Sequence, residues 1–152
     1  MFKIVLAFSV IIAVAFAKIR DCDRGILGPS PYAIRITGCA NDQVCKIVRG
    51  KDITGSIDFF ATRDTATLEP EITAYAFGVR AVYDLPLSRQ NGCNWINGTF
   101  CPLDKGEFAT YNLNMPVIEE YPLTKLDIEV RLYAEGRALQ FCTLIESEVV
   151  VS

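Results

Sequence analysis

The 152-residue chain carries 15 Lys and Arg against 18 Asp and Glu, a formal net charge of −3, and no histidine. With no clustered Lys or Arg to displace counterions, the composition excludes nucleic acid as a partner and offers no polybasic handle for an anionic membrane. The missing histidine removes the commonest general base, the usual metal ligand and every Ser-His or Cys-His nucleophile pair.

The chain opens with Lys3 as a positive start, then Ile4 to Phe16 without a charge and with Ser9 as the single polar residue. Ala15-Phe16-Ala17 supplies the small-x-small pattern that signal peptidase reads. Residues 1–17 are therefore predicted to be a signal peptide, and residues 18–152 one secreted domain, extracellular or in the lysosomal lumen. The apolar run falls short of the ~20 residues that span a bilayer. Cleavage removes one basic and no acidic residue, which leaves the mature domain at −4.

Cys22, Cys39, Cys45, Cys93, Cys101 and Cys142 all lie beyond that segment. An even count behind a signal peptide reads as three disulfides, with about 15 pairings open to six cysteines. Spacing favours bridging across the turn-like Ala40 to Val44 and across Asn94 to Phe100, which holds Asn97-Gly98. Cys22 and Cys142 would then join the two ends of the domain. No CxxC pair is present, which argues against zinc.

Between the cysteines the pattern alternates with a period of two. Tyr32 to Thr37 sends Ile34 and Ile36 one way and Arg35 the other. Ile53 to Phe59 alternates likewise, with Gly55 as a soft spot or bulge. Tyr75 to Val79 and Leu113 to Met115 read as two further strands. Asn97-Gly98-Thr99 is an N-glycosylation sequon, and Asn97 must be exposed if it is used. Trp95 and Ile96 beside it read as loop packing over the sandwich end, with membrane contact as the alternative. Leu126 to Leu132 places four aliphatic residues opposite Asp127, Glu129 and Arg131. Glu135-Gly136-Arg137 reads as a hairpin turn into Ala138 to Ile145, a strand either covered on both faces or bulged. About seven short strands predict an antiparallel, immunoglobulin-like β-sandwich with an all-β core.

No catalytic set emerges. Glu119 and Glu120 are adjacent and point to opposite faces of an extended segment. Glu146 and Glu148 share a face, where solvation explains them better than calcium. The glycines are scattered singly, so there is no phosphate-cradling loop. No cofactor, no metal and no enzymatic activity are predicted.

Arg20-Asp21-Cys22, Gly38-Cys39, Cys45 followed by Arg49-Gly50-Lys51, Leu85-Pro86, Gly92-Cys93, Cys101-Pro102-Leu103, Met115-Pro116-Val117, Glu120-Tyr121-Pro122 and Phe141-Cys142 form an ordered set over the whole mature chain. That set resembles the ML (lipid-recognition) domain family, and within it the Niemann–Pick C type 2 group. The resemblance implies the pairing Cys22–Cys142, Cys39–Cys45 and Cys93–Cys101, and a sandwich whose sheets enclose an apolar cavity for one lipid. It implies that Leu85, Val117, Tyr121 and Pro122 line the cavity. Leu85 stands where vertebrate sterol carriers carry an aromatic, which widens the ligand class from sterols to fatty acids and other lipids. The buried strand faces add Ile57, Phe59, Phe77, Met115, Ile128, Val130 and Leu132 as candidate walls. The implied partner is a hydrophobic small molecule carried by a monomer, with a membrane lipid transporter or a receptor for the handoff.

Overall fold

The computed structural model describes residues 19–152 apart from Ile26 and Asn41; the predicted signal peptide lies outside the described residues. The strands are β1 (Ile19–Asp21), β2 (Ala33–Ile36), β3 (Cys45–Val48), β4 (Asp52–Phe60), β5 (Glu69–Ala76), β6 (Val79–Val82), β7 (Ile96–Asn97), β8 (Phe108–Pro116), β9 (Lys125–Ala134) and β10 (Ala138–Val150). One short helix, α1 (Leu87–Gln90), lies between β6 and β7. One sheet has the order β1-β10-β9-β5-β6, with β3 also on β10, and the other has β2-β4-β8-β7. This is the expected sandwich with more strands than the alternation predicted, because β1, β3 and β7 are too short to show a period. One pairing departs from antiparallel: β3 runs parallel to β10.

Side-chain alternation fixes the inner faces. Ile128 pairs with Ile145 and with Ala74, and Val130 pairs with Ile72, so these side chains share one face of their sheet. Across from them Ile53 pairs with Met115, Gly55 with Leu113 and Ile57 with Tyr111. Phe59, Tyr111 and Phe141 close one end of the sandwich, with Phe59 and Phe141 ring centroids 5.4 Å apart.

Two expectations are corrected. Tyr75 to Val79 is not one continuous strand: Tyr75 and Ala76 end β5, Val79 begins β6, and Phe77 at φ 53° and Gly78 at φ 73° form the turn between them. A two-residue turn that follows the sheet twist needs positive φ at both positions. Phe77-Gly78 adopts it without the Asn or Asp that would have announced it. Gly55 is not a bulge either, since the register runs unbroken from Asp52 to Phe60. A Cβ there would lie 2.6 Å from the Arg35 carbonyl oxygen, so the glycine permits a close approach of β2 and β4.

The last strand has both properties expected of it. Its register shifts between Leu139 and Phe141, and residues 140–145 are buried on both faces. The outer cover is the segment before β2: the Cys142 N–H donates to the Pro29 carbonyl at 3.0 Å, and Arg131 donates to the Arg24 carbonyl at 3.0 Å. Beneath this strap lie Glu129 and Arg131, paired at 2.9 Å and nearly inaccessible to solvent. The three disulfides follow the pairing that the spacing favoured, with Cα–Cα separations of 5.8 Å for Cys22–Cys142, 5.0 Å for Cys39–Cys45 and 5.7 Å for Cys93–Cys101.

Candidate functional site

The two sheets close on aromatic rings at one end. Moving away from Phe141, the next inner layer holds Ile72, Ile128 and Ile145 from one sheet and Ile53, Leu113 and Met115 from the other. They surround a void of about 10 Å³, enough for a single water-sized sphere. Ser147 is its one polar side chain, and its hydroxyl is spent on the Ile145 carbonyl at 3.2 Å. A void so lined stays dry.

Two residues further along the same strands lie Leu126 on β9 and Val149 on β10, and these border a cavity of about 430 Å³ that opens to solvent. The void and the open cavity follow each other along the inner face of the larger sheet, a slot whose open end is lined by that sheet and by Tyr83, Asp84, Tyr121, Pro122 and Thr124. Small side chains make the room: Ala74 faces Ala81 across the β5–β6 ladder, and Ala76 lies beside them. Larger residues at those positions would fill the space that the alanines leave.

Tyr83, Tyr121 and Pro122 stand at the mouth. Tyr83 is tied to one sheet by its N–H, which donates to the Ile72 carbonyl at 2.8 Å, and to the other by its hydroxyl, which donates to the Pro116 carbonyl at 3.1 Å. Burial raises the Tyr83 phenol above its ordinary value, with Tyr121, Asp52 and Asp84 adding to the rise. Burial alone raises that of Tyr121. Both phenols are therefore neutral donors throughout the physiological range. Asp84 and Thr124 complete the polar edge, while Val82 lines the cavity at 52 % exposure.

The predicted wall residues divide into distinct groups. Tyr121 and Pro122 border the open cavity; Met115, Ile128 and Val130 border the small void. Val117 is buried beside the slot, fixed by backbone bonds to Gly50 and Lys51, and borders neither space. Leu85 faces a separate cleft of about 330 Å³ with Glu69, Glu71 and Gln90, and shares Tyr83 with the mouth. Ile57, Phe59 and Leu132 belong to the packed core, not to an open wall. Phe77, expected on the buried face, is 78 % exposed at its hairpin tip, because the turn carries it out of the alternation. Ala74, Ala76, Ala81, Tyr83 and Val149 were missed. The signal available was the repeated alanine flanking Tyr75, which marks a strand face with its bulk removed.

Among the described residues Asp84, at the edge, is the one charged side chain that borders the open cavity. The Glu129–Arg131 pair lies on the outer face of its sheet. Cys22, Glu129 and Cys142 come together there, but both cysteine sulfurs are joined to each other and offer no thiolate to a metal. Trp95 and Ile96 are half-buried against the sandwich, with the indole N–H donating to the Ser88 carbonyl at 2.7 Å, which is the loop-packing arrangement. No helix among the described residues is long and apolar enough to cross a membrane.

A family model described as the ML domain matches residues 17–149. The chain is 27 % identical to the mite group 2 allergen Pso o 2 of Psoroptes ovis over 98 % of this chain and 99 % of the relative. It is 25 % identical to the NPC intracellular cholesterol transporter 2 of Bos taurus over 87 % of this chain and 84 % of the relative. Among solved structures it is similar to a Niemann-Pick type C2 protein from Japanese carpenter ant, with a TM-score of 0.73 and 20 % identity, covering 87 % of this chain and 98 % of that one.

Proposed function

The chain belongs to the ML domain family, and from that premise we propose that it is a secreted, non-catalytic lipid carrier. It takes one hydrophobic ligand into the slot between its sheets and passes it on. The observation that carries this reading is the open, mostly apolar cavity of about 430 Å³ on the inner face of the larger sheet, bordered by alanines where a filled sandwich would place bulk. Its size lies within the range of small-molecule sites, roughly 300–1,000 Å³. Each CH₂ withdrawn from water contributes about 0.8 kcal/mol, so an aliphatic ligand that completes the core needs few polar contacts. A tail longer than the mouth enters by parting Ile53 and Met115 from Ile72, Ile128 and Ile145.

The ligand class is a sterol, a fatty acid or another long-chain lipid. The bovine cholesterol transporter among the relatives favours a sterol; the aliphatic Leu85 favours the wider class. Tyr83 and Tyr121 offer neutral hydroxyls to a ligand head at the mouth, whether a sterol hydroxyl or a carboxyl. The domain acts as a monomer behind a signal peptide cut after Ala17, in the extracellular space or the lysosomal lumen. Val79, Val82, Ile118 and Leu123 are exposed apolar residues, and Val82 borders the mouth. They favour direct docking on a membrane transporter during handoff, or on a receptor if the lipid is presented instead.

Native mass spectrometry of the protein secreted from eukaryotic cells, followed by extraction and identification of the bound lipid, tests the reading. One lipid per chain is expected. A protein that stays empty when offered sterols and fatty acids in vesicles overturns it.

A further inference from the structure

The outer face of the four-stranded sheet carries a second concavity, of about 470 Å³ and unlike the slot in chemistry. Thr54 and Ser56 of β4, Asn112 and Asn114 of β8, and Arg35 of β2 pave it, with the half-buried Trp95 at one side. Hydroxyls, amides and one indole are the groups with which proteins hold saccharides: hydrogen bonds to ring hydroxyls and an apolar face for the ring.

The sequon residue Asn97 borders this surface. Ile96 pairs with Tyr111 and Asn97 with Thr110, so the Asn97 side chain shares the outer face of the sheet with Thr110 and Asn112. Its Nδ2 donates to Asn112 Oδ1 at 3.5 Å, so the one atom a glycan bonds is directed across the sheet and not away from it. Trp95, two residues earlier, is held in place from two sides. Its indole N–H donates to the Ser88 carbonyl, and the Arg89 guanidinium lies 3.5 Å from its ring centroid.

We propose that Asn97 carries an N-linked glycan whose first sugars lie along this polar face, against Trp95 and over Asn112, Asn114 and Ser56. The chemistry requires a lipid-linked pyrophosphoryl oligosaccharide as donor. The anomeric C–O bond to pyrophosphate breaks, a C–N bond to Asn97 Nδ2 forms, and Nδ2 gives up one proton. It keeps one N–H, which holds the Asn112 contact and sets the direction in which the sugar leaves. The inference depends on passage through the secretory pathway and not on the identity of the lipid.

Trp95 is the one tryptophan of the chain, so its fluorescence reports this face alone. Protein secreted from eukaryotic cells should exceed its peptide mass by one N-glycan, and Asn97→Gln should abolish that excess. Acrylamide should quench the glycosylated protein roughly twofold less than the same folded protein after enzymatic removal of the bulky sugar. The double variant N112A/S56A should keep the glycan and lose the protection. An unmodified Asn97 overturns the proposal, and so does a glycosylated protein quenched as readily as the stripped one. Lipid binding reads the other side of the sheet and should be the same in every sample, so failure here is distinct from failure of the carrier reading.

Discussion

The Tyr83 hydroxyl donates to the Pro116 carbonyl at 3.1 Å, joining the two sheets across the mouth of the slot. Tyr83 follows β6 in one sheet and Pro116 ends β8 in the other, so this bond bears on how far the mouth can open. Tyr83→Phe keeps the ring and removes the tie. The expected loss of stability in urea titration is about 1 kcal/mol, the usual net worth of one hydrogen bond. The rate at which a fluorescent fatty acid enters and leaves should rise, because separation of the sheets no longer costs that bond. An unchanged exchange rate in a variant with the expected stability loss would remove Tyr83 from the gate.

Alkaline pH offers a second check on the core. Tyr111 is buried at the closed end, and burial pushes its phenol up to about 12 against the opposing Arg89 charge. The folded state thus favours the protonated phenol more than the unfolded chain does. Its contribution is fully present below the unfolded value near 10 and is lost as pH rises towards about 12. Each unit of that shift is about 1.4 kcal/mol, so stability should fall by roughly 2–3 kcal/mol across the interval. Tyr111→Phe should flatten that part of the pH profile measured by chemical denaturation.

Much of the architecture could be read in advance from strands whose two faces differ. Leu126 to Leu132 alternates without exception, and it became the centre of β9 with its aliphatic side chains inward. Cysteine spacing reached the bridges, since short loops leave little choice of partner. The mouth was far less legible. Alanine has weak strand propensity and no bulk, so Ala74, Ala76 and Ala81 left only the faint mark of repeated small residues around Tyr75, although the space they leave is the candidate site. Phe77 misled because an aromatic beside a glycine looks like strand, whereas the backbone there turns through positive φ. Val117 and Leu85 came from resemblance; they flank the slot without bordering its open part.

The strap over the outer face should be worth more than its few hydrogen bonds suggest. Cys22–Cys142 closes a loop of 120 residues, which the chain-entropy account values at about 5 kcal/mol. It also holds the cover over Glu129 and Arg131. Glu129→Gln leaves the Arg131 charge buried without its counterion, and an isolated buried charge costs roughly 3–5 kcal/mol. Denaturation midpoints should therefore drop strongly for Glu129→Gln, while the same change at exposed Glu135 should do little. Equal effects at the two sites would mean that water reaches the pair.

The sharpest division lies between Ala74 and Val117. Ala74 borders the open cavity and is partly exposed, so added bulk there occupies space that holds no protein atoms. Val117 is 2 % exposed and belongs to the packed cluster beside the slot. Ala74→Phe is expected to leave the melting temperature of the empty protein unchanged and to weaken fatty-acid or sterol binding at least tenfold, about 1.4 kcal/mol. Val117→Phe must push neighbours aside and should cost about 1–3 kcal/mol of stability, with binding affected only through the loosened fold. The two measurements, a thermal melt of the ligand-free protein and a lipid titration, should move in opposite columns for the two variants. If Ala74→Phe binds normally, the ligand does not occupy the alanine-lined mouth, and the site must lie elsewhere between the sheets. If Val117→Phe melts normally and fails to bind, the sheets part more widely on loading than the empty sandwich does, and Val117 becomes part of the wall.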